Sequence, residues 1–244
     1  MYSWTTIRII CAILLLIPVV HLTYLVSKET LATMDSSPEA WADELEAFGE
    51  IDRGNHLPEN PLVVVGGRRV KLWSGLEDTL DSQEVLMRGL GDATVDDIVH
   101  NYERLIGFYR PQSLVFLPSN SEFHLRDNKM AEDFVRGVKE LAALDQAHGV
   151  TQHIYLISPL KTPLFKADYA KMDEISENLA GWATQQPGIS YLDANALLGT
   201  NPGQPNPRYF RNDGVNLNNE GYVRLSLLLK SAMDATIPND PNNI

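Results

Sequence analysis

Five short apolar segments, alternating with stretches of helical periodicity, constrain the fold of this 244-residue chain more than any other feature. The apolar segments fall at 62–65, 85–87, 114–117, 153–157 and 189–192, and the helical stretches at 95–108, 130–147, 164–184 and 220–233. Apolar runs this short read as strands buried on both faces, and such strands belong to parallel sheets whose crossover helices cover the two sides. Along 130–147, Met130, Phe134, Val138, Leu141 and Leu144 make one apolar stripe, which predicts core packing. Ahead of the first strand, Ser37 and Pro38 suit an N-cap and first helical position, and Trp41, Leu45 and Phe48 share a helical face. The expected fold is a three-layer α/β/α sandwich with a parallel sheet of about five strands.

A second feature precedes this pattern. Residues 9–26, "IICAILLLIPVVHLTYLV", carry no formal charge and are long enough for one membrane-spanning helix. Trp4 and Tyr24 lie near its ends, and Arg8 with the terminal amine lies before it, which favours a cytoplasmic N-terminus. The following "SKETLATMDSS" has no convincing A-x-A cleavage site, so a retained anchor is expected in preference to a cleaved signal peptide. The predicted organisation is a cytoplasmic N-terminus at 1–8, a transmembrane signal-anchor helix at 9–26, a linker at 27–36, the α/β domain at 37–236 and a tail at 237–244. The domain is then extracytoplasmic, periplasmic in a Gram-negative cell, with the membrane and envelope proteins as its expected partners. The formal charge of -12 argues against nucleic acid, which needs a basic face. The single cysteine, Cys11, excludes an intramolecular disulfide.

Open parallel sheets build their sites from loops at the carboxyl ends of the strands. That rule selects 66–71, 88–94, 118–126 and 209–219. The first contains "VVVGGRRVKLW", which lacks the third glycine of a dinucleotide fingerprint and the G-K-[ST] of a P-loop. No cofactor is expected. No His, Cys, Asp and Glu grouping has metal-ligand spacing, so no metal is expected.

Read together, these loops resemble the SGNH (GDSL-type) hydrolases. "VVVGGRRVKLW" is similar to a first block of the form V-G-S-S-S-I-R-L-W, "MRGLGDAT" to N-R-G-F-G-G-S, "LVFLPSNSEF" to a strand followed by A-G-D-N-D, and "YFRNDGVNLNNEGY" to L-F-R-D-D-G-L-H-L-N-x-x-G-Y. "SYLDANALL" also fits that family's fifth strand and the loop after it. The resemblance covers the chain from about Trp41 to the last helix, and it implies an SGNH-hydrolase-like, flavodoxin-like sheet. It also implies the loss of the family's chemistry. Arg68 stands where the family has its nucleophilic serine, Ser121 where it has an oxyanion-binding asparagine, and Asn216 where it has the histidine base. The glycine that donates to the oxyanion is kept as Gly91, and the acidic residue three before the base as Asp213.

A guanidinium does not attack esters and an amide does not titrate near neutrality, so neither can stand in for the residue it replaces. The expectation is therefore a membrane-anchored pseudo-hydrolase that binds or scaffolds. The alternative is an active esterase or acyl-hydrolase with a relocated nucleophile, Ser119 or Ser121 served by His124. A third reading, an assembly subunit without a small ligand, needs a pocket crowded shut by Arg68 and Arg69. In the binding reading, Arg68, Gly91 and Asp213 line a site for an anionic small ligand, with Arg68 near the start of a short helix at 70–73. Competing with this is an internal Arg68–Asp213 ion pair, which is the arrangement expected here, because Asp213 without a histidine is left needing a partner.

Overall fold

A computed structural model describes residues 3–34, 37–80, 83–124, 127–200 and 203–236. The expected tail at 237–244, the end of the linker at 35–36 and residues 125–126 of the third loop lie outside these. The elements in chain order are α1 (Trp4–Met34), α2 (Ala42–Gly54), β1 (Leu62–Gly66), α3 (Arg68–Lys71), α4 (Leu76–Leu80), β2 (Val85–Gly89), α5 (Val95–His100), α6 (Tyr102–Leu105), β3 (Ser113–Leu117), α7 (Ala131–His148), β4 (His153–Ile157), α8 (Tyr169–Ala183), β5 (Ile189–Leu192), α9 (Ala194–Leu198) and α10 (Asn219–Thr236). A two-residue antiparallel pair, Gly199–Thr200 with Gln204–Pro205, follows α9.

The five strands form one parallel sheet in the order β2-β1-β3-β4-β5. Alternate residues of each strand feed opposite faces, because successive side chains on a strand point to opposite sides. Val63, Val65, Leu114, Phe116, Ile154 and Leu156 pack beneath α2, α5, α6, α7 and α8. Leu62, Val64, Val115, Leu117, Tyr155 and Ile157 pack on the other side, with Val70, Trp73 and Leu76 on the α3–α4 segment and Leu225 and Leu229 of α10. Both faces are covered, which is why these strands read as continuous apolar runs. In such an order the crevice opens where neighbouring connections leave β1 and β3 in opposite directions.

The helices depart from expectation in four places. The stretch 95–108 is broken: Asn101 turns its side-chain amide back to the Asp97 carbonyl at 3.0 Å, ending α5, and a short 3-10 turn at Gly107–Tyr109 follows α6. The stretch 164–184 starts late, at Tyr169, because a 3-10 turn at Lys166–Asp168 occupies its beginning. In α7, Phe134, Val138 and Leu141 are buried, whereas Met130 precedes the helix and is exposed. Finally, α1 continues to Met34 through most of the segment expected as a linker. "KETLATM" contains neither glycine nor proline and is rich in good helix formers.

Within α1, the 24 residues Trp4–Ser27 contain an 18-residue window with a mean hydropathy of 2.6, and none of that window is buried. At 1.5 Å per residue the 24 residues are roughly 36 Å long, enough by length and composition to cross a bilayer.

Candidate functional site

The two glycines after β1 create the site's geometry. Gly66 has φ +152, and a Cβ there would lie 2.1 Å from the Leu117 carbonyl oxygen. A Cβ on Gly67 would lie 2.6 Å from that of Ser119. Only glycine lets the ends of β1 and β3 approach this closely. The chain then turns at once into α3, so that helix begins at Arg68, two residues earlier than the expected 70–73.

Arg68 does not pair with Asp213. Its Nε donates to Asp92 Oδ1 at 3.0 Å and its Nη2 to Oδ2 at 2.6 Å, a bidentate ion pair across the β1 and β2 loops. The expected pairing fails because Asp213 finds other donors. Its Oδ1 accepts the backbone N–H groups of Val215 and Asn216, at 2.8 and 2.9 Å, and its Oδ2 accepts the Asn216 side-chain amide at 2.8 Å. Partial burial raises the Asp213 pKa, but these three hydrogen bonds and the charge of Arg211 outweigh it, and the carboxyl sits below its ordinary value.

Arg69 points inward. It is 2% exposed, and its guanidinium donates to Pro118 O at 3.1 Å, Asn120 Oδ1 at 3.2 Å and Val215 O at 3.4 Å. Its own carbonyl accepts from the Tyr222 hydroxyl at 2.9 Å, and Trp73 Nε1 donates to Ser226 at 2.9 Å, so α10 holds this turn from outside. Burial lowers the Arg69 pKa to about 10, against the opposing influence of Tyr222 and Asp213.

The third loop presents Ser119 and Ser121, both buried, with their hydroxyl oxygens 3.0 Å apart. Among the described residues neither serine is hydrogen-bonded to a histidine. His124 Nε2 instead meets Asp168 Oδ2 at 2.5 Å, and its ring stacks on Phe165 with centroids 3.8 Å apart. Next to Ser121, Glu122 is buried against Lys129 Nζ at 2.7 Å and the Val95 N–H at 2.5 Å, which pins this loop to the start of α5.

Arg68, Ser119, Ser121, His124, Asp213 and Asn216 line a single cleft of about 490 Å³, together with Arg69, Asp92, Leu164, Phe165 and Val215. Four loops chosen from strand ends thus converge. Gly91 does not join them: its N–H donates to Glu44 Oε2 at 3.0 Å, an oxygen that also accepts from Lys71 Nζ at 3.0 Å. Four participants escape sequence reasoning. Asp92 lies in a selected loop but carries no mark of its role, and Glu44 arrives from a distant helix. Phe165 and Asp168 belong to the loop after β4, which the strand-end rule could have included.

No family model matches the sequence, and no curated protein does. Solved structures do. A provisionally assigned platelet activating factor from Streptococcus pneumoniae superimposes with a TM-score of 0.69 at 14% identity, over 88% of this chain and 99% of that one. A provisionally assigned acylhydrolase from Bacteroides fragilis gives 0.65 at 18%, over 74% and 92%. A GDSL-like lipase from Bacteroides thetaiotaomicron gives 0.63 at 16%, over 78% and 97%. The fold is that of the SGNH/GDSL-type hydrolases, preceded by one apolar helix.

Proposed function

We propose that this chain is a membrane-anchored binding module on a hydrolase fold, held in the cell envelope by α1, with its domain outside the cytoplasm and no esterase chemistry of its own. The observation that carries the reading is the state of Arg68. The residue after the paired glycines is a guanidinium locked onto Asp92, where acyl transfer would need an oxygen nucleophile. The side chain bonded to Asp213 is the amide of Asn216, which cannot take a proton from a nucleophile. Loss of nucleophile or base typically costs ~10⁴–10⁶ in kcat, and removing both costs little more. The open cleft favours a ligand over a purely structural role.

One observation supports the esterase alternative. His124 and Asp168 form a carboxylate–imidazole pair on the wall of the cleft that holds Ser119 and Ser121. One experiment separates the two readings. The full chain in lipid nanodiscs is expected to leave short-chain aryl esters unhydrolysed and to take no fluorophosphonate label. Stoichiometric labelling of Ser119 or Ser121 would replace the binding reading with the relocated-nucleophile one. Orientation is tested separately: alkaline phosphatase fused after Ile244 should be active, and activity of a cytoplasmic reporter there would reverse the topology.

A further inference from the structure

Two arginines stand side by side after β1, and they differ in counter-charge. Arg68 has Asp92. For Arg69, no carboxylate among the described residues lies within ion-pairing distance, and its hydrogen bonds go to three uncharged oxygens. Its Nε–H has no acceptor among the described residues. A buried cation served only by neutral acceptors is held at a cost, and an anion brought beside it recovers part of that cost. Asp213 favours the charge from a distance but is committed to Val215 and Asn216.

The surroundings narrow the class of anion. Arg69 and its partner Asn120 line the cleft with Leu164, Phe165 and Val215, and Leu164 is 58% exposed there. Apolar surface along one wall calls for an apolar body on the ligand. Asp92 is neutralised by Arg68, which leaves Arg69 as the cation facing the ligand, and the nearby Asp213 disfavours a second negative charge on it.

We infer, on the reading of the cleft as a binding site, that it receives a monocarboxylate amphiphile: the carboxylate at Arg69, the apolar chain along Leu164, Phe165 and Val215. The Nε–H left without an acceptor can donate to one carboxylate oxygen as a charge-assisted hydrogen bond. The site lies one residue beyond the position expected from the sequence, because Asp92 and Glu44 occupy the donors at Arg68 and Gly91.

The test follows thermal unfolding of the full chain in nanodiscs by tryptophan fluorescence, with hexanoate, hexan-1-ol, acetate and inorganic phosphate as probes. Hexanoate should raise the melting temperature in a saturable manner, and the other three should bind at least about tenfold more weakly. Arg69→Gln should weaken hexanoate by at least about tenfold. Since Arg69 also ties three segments together, Asp213→Asn gives a second reading: it should tighten hexanoate about threefold and leave hexan-1-ol unchanged. An equal response to hexan-1-ol would overturn recognition of the carboxylate. An equal response to acetate or phosphate would overturn the amphiphile, and no response to hexanoate would overturn the inference altogether. The non-hydrolytic reading fails on a different signal, turnover of p-nitrophenyl hexanoate.

Discussion

Arg68 grips both carboxylate oxygens of Asp92 while itself remaining half in solvent: the side chains are 49% and 9% exposed. The pair is therefore asymmetric. Removing Arg68 leaves a mostly buried carboxylate without its bidentate partner, whereas removing Asp92 leaves a guanidinium that water can solvate. Arg68→Ala is expected to destabilise the fold by ~1–3 kcal/mol, and Asp92→Ala by less. Urea denaturation of both variants and the double variant checks this, and the double should fall short of the sum because the residues are in contact.

Gly66 makes a harder demand. With φ +152 and the Leu117 carbonyl oxygen 2.1 Å from any added Cβ, Gly66→Ala has neither the backbone freedom nor the space it needs. The obstacle is main chain of the neighbouring strand, which no rotamer change relieves. A loss of about 3 kcal/mol or more is expected, read as reduced soluble yield and a lower denaturation midpoint.

His153 gives a pH signature away from the cleft. Its Nε2 lies 2.9 Å from the Ser190 hydroxyl and its ring packs against Tyr155, and burial holds its pKa below the ordinary 6.5. As pH falls through 6.5 the unfolded chain takes up this proton before the folded one does, so stability is present above that value and is lost as pH descends through the lowered folded pKa. His153→Gln should flatten the difference in unfolding free energy between about pH 7 and about pH 5.

The strands were legible because a sheet buried on both faces requires unbroken apolar runs, and each run at 62–65, 114–117 or 153–157 sits in a strand. The cleft was legible in outline because strand ends converge in this sheet order. What periodicity could not reveal was partner choice. Asp92 and Asp213 look alike as candidates for Arg68, and the decision rests on local backbone. The turn after Asp213 supplies two N–H donors and the Asn216 amide, which leaves Asp92 for the arginine. Glu44 was equally out of reach, since nothing in its sequence neighbourhood says that its carboxylate meets the Gly91 N–H. The depth of Arg69 was hidden as well, because Pro118, Asn120 and Val215, which make its burial tolerable, come from two distant loops.

If the correspondence with the SGNH blocks is sound, hydrolysis can be rebuilt. Arg68→Ser introduces a hydroxyl after the paired glycines, and Asn216→His introduces an imidazole whose orienting carboxylate is already positioned, since Asp213 Oδ2 lies 2.8 Å from the present Asn216 amide. Ser121→Asn restores the side-chain oxyanion donor, although the site is 1% exposed and the larger residue must displace the contact with Ser119. Taking Arg68 away strands Asp92, so Asp92→Asn belongs in the set to remove an orphaned charge. The four changes together should raise p-nitrophenyl acetate hydrolysis above the wild-type background and allow fluorophosphonate labelling at position 68, while any single change should do neither, because nucleophile and base act as a unit. The rebuilt site should remain slow. Glu44 still holds the Gly91 N–H, and a missing oxyanion donor typically costs ~10²–10³ in kcat. A folded quadruple variant that is both inert and unlabelled would show that Arg68 and Asn216 do not stand where the family keeps its serine and histidine.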